Sequence, residues 1–271
     1  MGLDSTNLVR IKTDNQGRMD INDLRKSLEK CSIENKQIFA IVATLGTTVR
    51  GAIDPIKDIS EICKERNIWL HIDGSIGGIF AVTSIPIEGL NNINQANSIT
   101  INPQKIIGIT KTSSLLLVSN MSTLENTFTT GLPYISSKEN IINRGELGIQ
   151  GSRPAEVIKL WLGLRFLGLK GIENILKSSL KRKDFFIKNI SKNKFEIYSG
   201  PLHIVSFLPK GLTTKETDFW TQNKVNELLR KNFMLSRPKF KGKYYLRVVM
   251  GNYNTKDSHI EELLKLLDSY Q

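Results

Sequence analysis

The sequence predicts an α/β unit built on a parallel sheet, followed by a smaller α+β unit. Three observations predict it. Short apolar runs at 37–44, 69–72 and 98–101 alternate with a helical pattern, which is the signature of βαβ architecture. The run Gln37–Thr44 is continuous and rich in Ile, Val and Ala, as expected of a parallel strand buried on both faces. After residue 190, three strand-like runs are interleaved with two helical patterns, which suits an antiparallel sheet faced by helices. The expected division is 1–153 for the first unit, and 154–271 for a linking helix and the second.

Taken in order, Leu8–Lys12 reads as a short strand and Asp14-Asn15-Gln16-Gly17 as a turn. A helix over about Ile21–Lys30 follows, capped by Asp20 or Asn22, with Ile21, Leu24 and Leu28 on one face. Leu45-Gly46-Thr47-Thr48 turns away from the end of the next strand. Asp54-Pro55 opens a helix whose buried stripe is Ile56, Ile59, Ile62 and Cys63. Trp69–Ile72 and Ser98–Ile101 read as strands, and Ser113–Ser119 as an antiparallel one. Thr129–Gly151 is polar, glycine-bearing and weakly periodic, which predicts a long surface loop of the kind that serves as a lid. Arg153-Pro154 opens a long helix with a predicted buried stripe at Val157, Leu160, Trp161, Leu164 and Leu167. Phe195–Tyr198, Ile204–Leu208 and Tyr244–Met250 are expected strands, and Glu216–Lys231 and Lys256–Asp268 expected helices.

The 271 residues are 39% hydrophobic and 24% charged, the balance of a globular protein with a substantial core. The formal net charge is +12. A basic surface can bind nucleic acid, but the lysines cluster only at 177–194 and 239–243 and no nucleic-acid motif accompanies them. A lysine-rich composition spread over solvated faces is the better reading, with no nucleic-acid partner. The opening residues lack an apolar signal core, and no run approaches the ~20 residues of a membrane span. A cytoplasmic, membrane-free setting is the expectation, and Cys31 and Cys63, which form no motif spacing, read as free thiols in a reducing compartment.

The chemistry centres on two residues. Asp73 stands just past Trp69–Ile72, and Lys105 just past Ser98–Ile101 in Asn102-Pro103-Gln104-Lys105. Ligands bind outside the carboxyl ends of strands in open α/β sheets. A carboxylate and an amine brought to one such crevice suit pyridoxal phosphate, where lysine forms a Schiff base and aspartate keeps the pyridine nitrogen protonated. His71 lies two residues before Asp73, so both share a strand face; it either orients the carboxylate or is a packed core histidine. Thr47 and Thr48 either cap their loop or approach a ligand. The histidines and cysteines have no metal-ligand spacing, and GxSxG and P-loop motifs are absent from the sequence.

The strings ATLGTT, GAIDPI, WLHIDGS, NPQK and QGSRPAEVIKLWLGLRFLG resemble the group II pyridoxal phosphate-dependent amino-acid decarboxylases, which include aromatic-amino-acid, glutamate and 2,4-diaminobutyrate enzymes. The resemblance runs nearly from the first residue to the last, but corresponds to the C-terminal portion of the family's subunit. It implies a fold-type I, aspartate-aminotransferase-like large domain, truncated at its N-terminus, plus a small C-terminal α+β domain. It implies a homodimer and decarboxylation of an L-amino acid to a primary amine and carbon dioxide.

The resemblance also assigns roles. Lys105 becomes the Schiff-base lysine, Asp73 the partner of the pyridine nitrogen, Thr48 a neighbour of the ring, and Asn102 a donor near the phosphate. Ser75 stands where the family usually has an alanine packed on the ring. Gln104 replaces the family's usual histidine before the lysine; it can donate a hydrogen bond but carries no proton near neutral pH. Tyr134 falls at the distance of the loop tyrosine that protonates the carbanion, or is an ordinary loop tyrosine. Arg153 matches an arginine at the domain junction. The family's glycine- and serine-rich phosphate loop and its ring-stacking histidine lie upstream of the matching region. A non-catalytic remnant, or one half of a split enzyme with a separately encoded N-terminal partner, is therefore the alternative expectation.

Overall fold

The computed structural model describes residues 4–110, 113–130, 144–152 and 154–269. After the Asp14–Gly17 turn, α1 (Ile21–Ile33) begins at Asp20, whose carboxylate accepts from the backbone N–H groups of Asn22 and Asp23. Leu8–Lys12 forms no strand: only the isolated bridge Thr13–Met19 lies nearby, and Leu8 and Val9 face solvent. The β propensity of that run finds no neighbouring strand among the described residues, and propensity without a partner makes no ladder.

The main sheet has the order β1 (Ala40–Thr44), β2 (Trp69–Gly74), β3 (Ser98–Ile101), β4 (Leu115–Val118). The first three are parallel, pairing Thr44 with Asp73 and Asp73 with Thr100, while β4 returns antiparallel. α2 (Ile56–Arg66) connects β1 to β2 and buries Ile56, Ile59, Ile62 and Cys63 on one face of the sheet. Asn67 ends it in the left-handed conformation. The expectation of a β1 buried on both faces fails. Its burial alternates, and Val42 is 55% exposed, because α2 and the short helical turns at 78–82 and 90–95 cover only the other face.

α3 (Met121–Phe128) precedes α4 (Glu156–Asn189), which breaks at Gly168 (φ 59°, ψ 175°). Before the break, Leu160 is buried and Leu164 and Leu167 pack on the core, but Val157 and Trp161 of the expected stripe are exposed. After it, Ile172, Leu176, Ser179, Arg182 and Phe186 are buried.

The second sheet, β5 (Phe195–Ser199), β6 (Ile204–Pro209) and β9 (Leu246–Val249), is antiparallel with β6 central, and a two-stranded ribbon of β7 (Lys239–Phe240) and β8 (Lys243–Tyr244) lies apart from it. α5 (Thr214–Arg230) and α6 (Asp257–Asp268) pack on it around Phe186, Phe207, Trp220 and Leu246. Thr213 and Glu216 close a capping box on α5. Among the described residues, no helix is long and apolar enough to cross a membrane.

Candidate active site

Parallel pairing brings the carboxyl ends of β1, β2 and β3 to one rim of the sheet, and the turns that leave them carry the candidate residues. The turn after β1 holds Thr47 and Thr48. The Thr47 hydroxyl accepts from the Ala52 N–H at 3.0 Å, so Thr47 caps its loop. Thr48 is the exposed member of the pair. Asp54, buried at the start of α2, accepts from the Met19 N–H (2.6 Å) and the Thr44 N–H (2.7 Å), pinning the end of β1 in place. Burial raises its pKa, against the pull of those two donors.

Asp73, at the end of β2, accepts the Ser75 N–H through Oδ1 at 3.0 Å, while its Oδ2 has no hydrogen-bond donor among the described residues. The close-packed turn Gly74–Gly78 follows. A Cβ on Gly77 would stand 2.5 Å from the Leu45 carbonyl oxygen, and one on Gly74 2.8 Å from that of Thr100. Gly77 lets the β1 and β2 turns lie against each other, joined by the Gly77 N–H to Leu45 carbonyl bond at 2.9 Å, and Gly74 lets β2 end close against β3.

Lys105 ends the helical turn Pro103–Lys105 after β3 and is exposed on the same rim. Its two neighbours are held by their amide oxygens. Gln104 Oε1 accepts the Ser113 N–H (2.8 Å), and Asn102 Oδ1 accepts the Ser114 hydroxyl (2.7 Å). Each amide thus keeps its NH2 as a donor. His71 is neither a free orienting group nor a plain core histidine. Its Nδ1 lies 2.8 Å from Ser98 Oγ and its Nε2 3.3 Å from Thr100 Oγ1. Burial lowers its pKa, with the Asp73 charge pulling the other way.

The structure therefore gathers Asp73, His71, Ser75, Thr48, Asn102, Gln104 and Lys105 on adjoining strand ends. Tyr134 and Arg153 lie outside the described residues. A cleft of about 850 Å³ opens elsewhere, lined by Asp14, Arg18, Arg50, Asp54 and Tyr198, and none of the gathered residues borders it.

One participant escaped sequence reasoning. Arg247 of β9 donates from Nη1 to the Thr48 carbonyl at 2.6 Å and from Nε to Ser236 Oγ at 2.7 Å. Burial lowers its pKa. The second unit thus holds the β1 turn. A lone arginine within Leu246-Arg247-Val248-Val249 was the only available signal, and its partner lies 199 positions away.

The model for the pyridoxal-dependent decarboxylase conserved domain matches residues 3–208. The chain belongs to the pyridoxal-dependent decarboxylase family. It is 28% identical to an aromatic-L-amino-acid decarboxylase of Bacillus atrophaeus, over 98% of this chain and 57% of that protein. It is 27% identical to an acidic amino acid decarboxylase of Mus musculus, over 99% of this chain and 52% of that one. Among solved structures, an Oryza sativa TDC with PLP and tryptamine superposes with a TM-score of 0.91 at 18% identity, over 98% of this chain and 58% of the other. Mouse CSAD in apo form gives 0.87 at 24% identity, over 95% and 57%. These likenesses give the fold-type I architecture of pyridoxal-dependent decarboxylases. The chain spans just over half the length of the curated relatives it matches.

Proposed function

We propose that the chain carries the lysine and pyridine half of a pyridoxal phosphate site that decarboxylates an L-amino acid to a primary amine and carbon dioxide. One observation carries the proposal: a family member presents Asp73 and Lys105 at the carboxyl ends of adjacent parallel strands. The donor set fits the cofactor. The Lys105 amine would be the point at which the cofactor is held covalently. Asp73 Oδ2 would hold a proton on the pyridine nitrogen, while Oδ1 is fixed by Ser75. The NH2 groups of Asn102 and Gln104, left as donors by their occupied oxygens, would serve the phosphate and ring substituents, and Ser75 and Thr48 would border the ring. When bound, the cofactor supplies an electron sink for the bond to the departing carboxylate. Tyr134 returns a proton to the substrate's α-carbon. The assembly is a homodimer, and the two free, buried cysteines support a reducing, cytoplasmic setting.

A second reading is favoured by the exposed apolar residues Phe39 and Val42 of the β1 side, Leu116 and Leu117 of β4, and Trp161 and Phe166 of α4. In it the chain acts only with further polypeptide, continuous or separate, that covers these faces and supplies the phosphate-binding loop.

The test is a pyridoxal phosphate titration of the full chain followed by visible absorbance, with Lys105→Ala alongside. A saturable band lost entirely in K105A, with melting temperature unchanged, is the expected result. A band of equal strength in K105A would sink the assignment of Lys105. No band until a polypeptide bearing the phosphate loop is added would select the second reading.

A further inference from the structure

Four side chains line one face of β2 and β3 behind Asp73. Trp69 Nε1 lies 2.9 Å from Ser98 Oγ, Ser98 Oγ lies 2.8 Å from His71 Nδ1, and His71 Nε2 lies 3.3 Å from Thr100 Oγ1. Thr100 is in turn the register partner of Asp73. We propose that Trp69, Ser98, His71 and Thr100 form a one-directional hydrogen-bond chain that fixes His71 as the neutral Nε2–H tautomer, so that no second cation shares the Asp73 carboxylate with the cofactor's ring nitrogen.

The direction follows from donor counting. An indole N–H can only donate, so Ser98 Oγ accepts from Trp69. Ser98 is buried, and its hydroxyl has no other partner among the described residues. Were His71 Nδ1 protonated, it would donate to Ser98 and leave the serine hydrogen buried and unpaired, which is costly. The serine hydroxyl therefore donates to Nδ1. The remaining ring hydrogen sits on Nε2 and is donated to Thr100 Oγ1, whose own hydroxyl hydrogen is left for the rim where Asp73 stands.

The consequence is electrostatic. A protonated His71, two residues from Asp73 on the same strand face, would be a second cation competing with the pyridinium for one carboxylate. Asp73 is the charged group whose field reaches His71. The register partners beside the ring are Val42 on β1 and Ser98 on β3, with Thr100 one step on, and none is charged. Trp69, Ser98 and Thr100 are positioning residues. They lie behind Asp73 and act by holding His71 neutral.

The last link rests on the reading of Asp73 as the partner of the pyridine nitrogen; the chain of hydrogen bonds does not. The experiment is ring ¹⁵N NMR of the full-length protein, with and without pyridoxal phosphate. The three histidines are assigned by substitution, and Ser98→Ala is compared with Ser98→Thr. In the unaltered protein His71 should favour Nε2–H over Nδ1–H by about tenfold or more. S98A should lower that ratio, raise the titration midpoint of His71 and shift the Trp69 indole N–H signal; S98T, which keeps the hydroxyl, should restore all three. An Nδ1–H or doubly protonated His71 at neutral pH would overturn the proposal, as would a tautomer ratio and midpoint that S98A leaves unmoved. An intact tautomer with no cofactor band would leave the chain standing and remove only the pyridoxal reading.

Discussion

The two halves of the molecule contrast in how completely each is closed. In the second unit, β6 is buried at every position between β5 and β9 and is faced by α5 and α6. In the first, α2 covers one face of the sheet while β1, β4 and the first half of α4 leave apolar side chains in solvent. The open half carries Asp73 and Lys105, and the closed half braces it. Arg247 holds the Thr48 carbonyl, Ser206 donates to the Val49 carbonyl, and Leu202 fills the space left by Gly46, Gly51 and Gly77. The proposed site lies where the fold is least self-sufficient, supported by a part with its own core.

The comparison can be broken at several points. The largest effect belongs to the closed core. Phe207 is fully buried, with the Phe186 and Phe195 rings each centred 5.6 Å away, so Phe207→Ala should cost about 3–5 kcal/mol. Urea denaturation measures it, and a loss near zero would mean the second unit is not the stable one.

Next comes the seam, where His203 stacks on Phe80 of the first unit with ring centroids 6.3 Å apart. Burial, helped by the Arg182 and Lys183 charges, pushes its pKa down from 6.5 to about 4. The unfolded chain then binds the proton first as pH falls. The stability present above the ordinary histidine pKa should drain away through that window, by up to about 3 kcal/mol. His203→Gln should flatten this slope in denaturation curves taken across it; an unchanged slope would place the acid sensitivity elsewhere.

A smaller loss, of about 1 kcal/mol, is expected for Asp20→Ala, which removes the cap of α1 in the open half. Least affected should be Val42→Thr, on the uncovered face of β1, at within about 0.5 kcal/mol. A much larger cost would show that this face is covered in solution.

Local signals carried much of this fold. The βαβ alternation, the helices at 21–33, 56–66, 214–230 and 257–268, and the antiparallel β4 all follow from periodicity, caps and apolar runs, and the structure has them. The places of Asp73 and Lys105 were legible because Asp73 directly follows one strand-like run and Lys105 ends the short turn after the next. The misses share a cause. The Leu8–Lys12 run and the outer stripe of α4 have the right pattern, but a pattern states only which side chains seek cover, not whether anything covers them.

By itself, then, the sequence determined which segments become strands and helices, which family they resemble, and which carboxylate and amine stand at strand ends. Those features are set by neighbours a few residues apart. Only the tertiary structure decided that Thr47 is a loop cap while Thr48 is clasped by Arg247, and that His71 belongs to a hydrogen-bond chain with Trp69, Ser98 and Thr100. The partners of Thr48 and of the His71 chain lie 27 to 199 positions apart, and strand register and donor geometry, which no local pattern encodes, select among them.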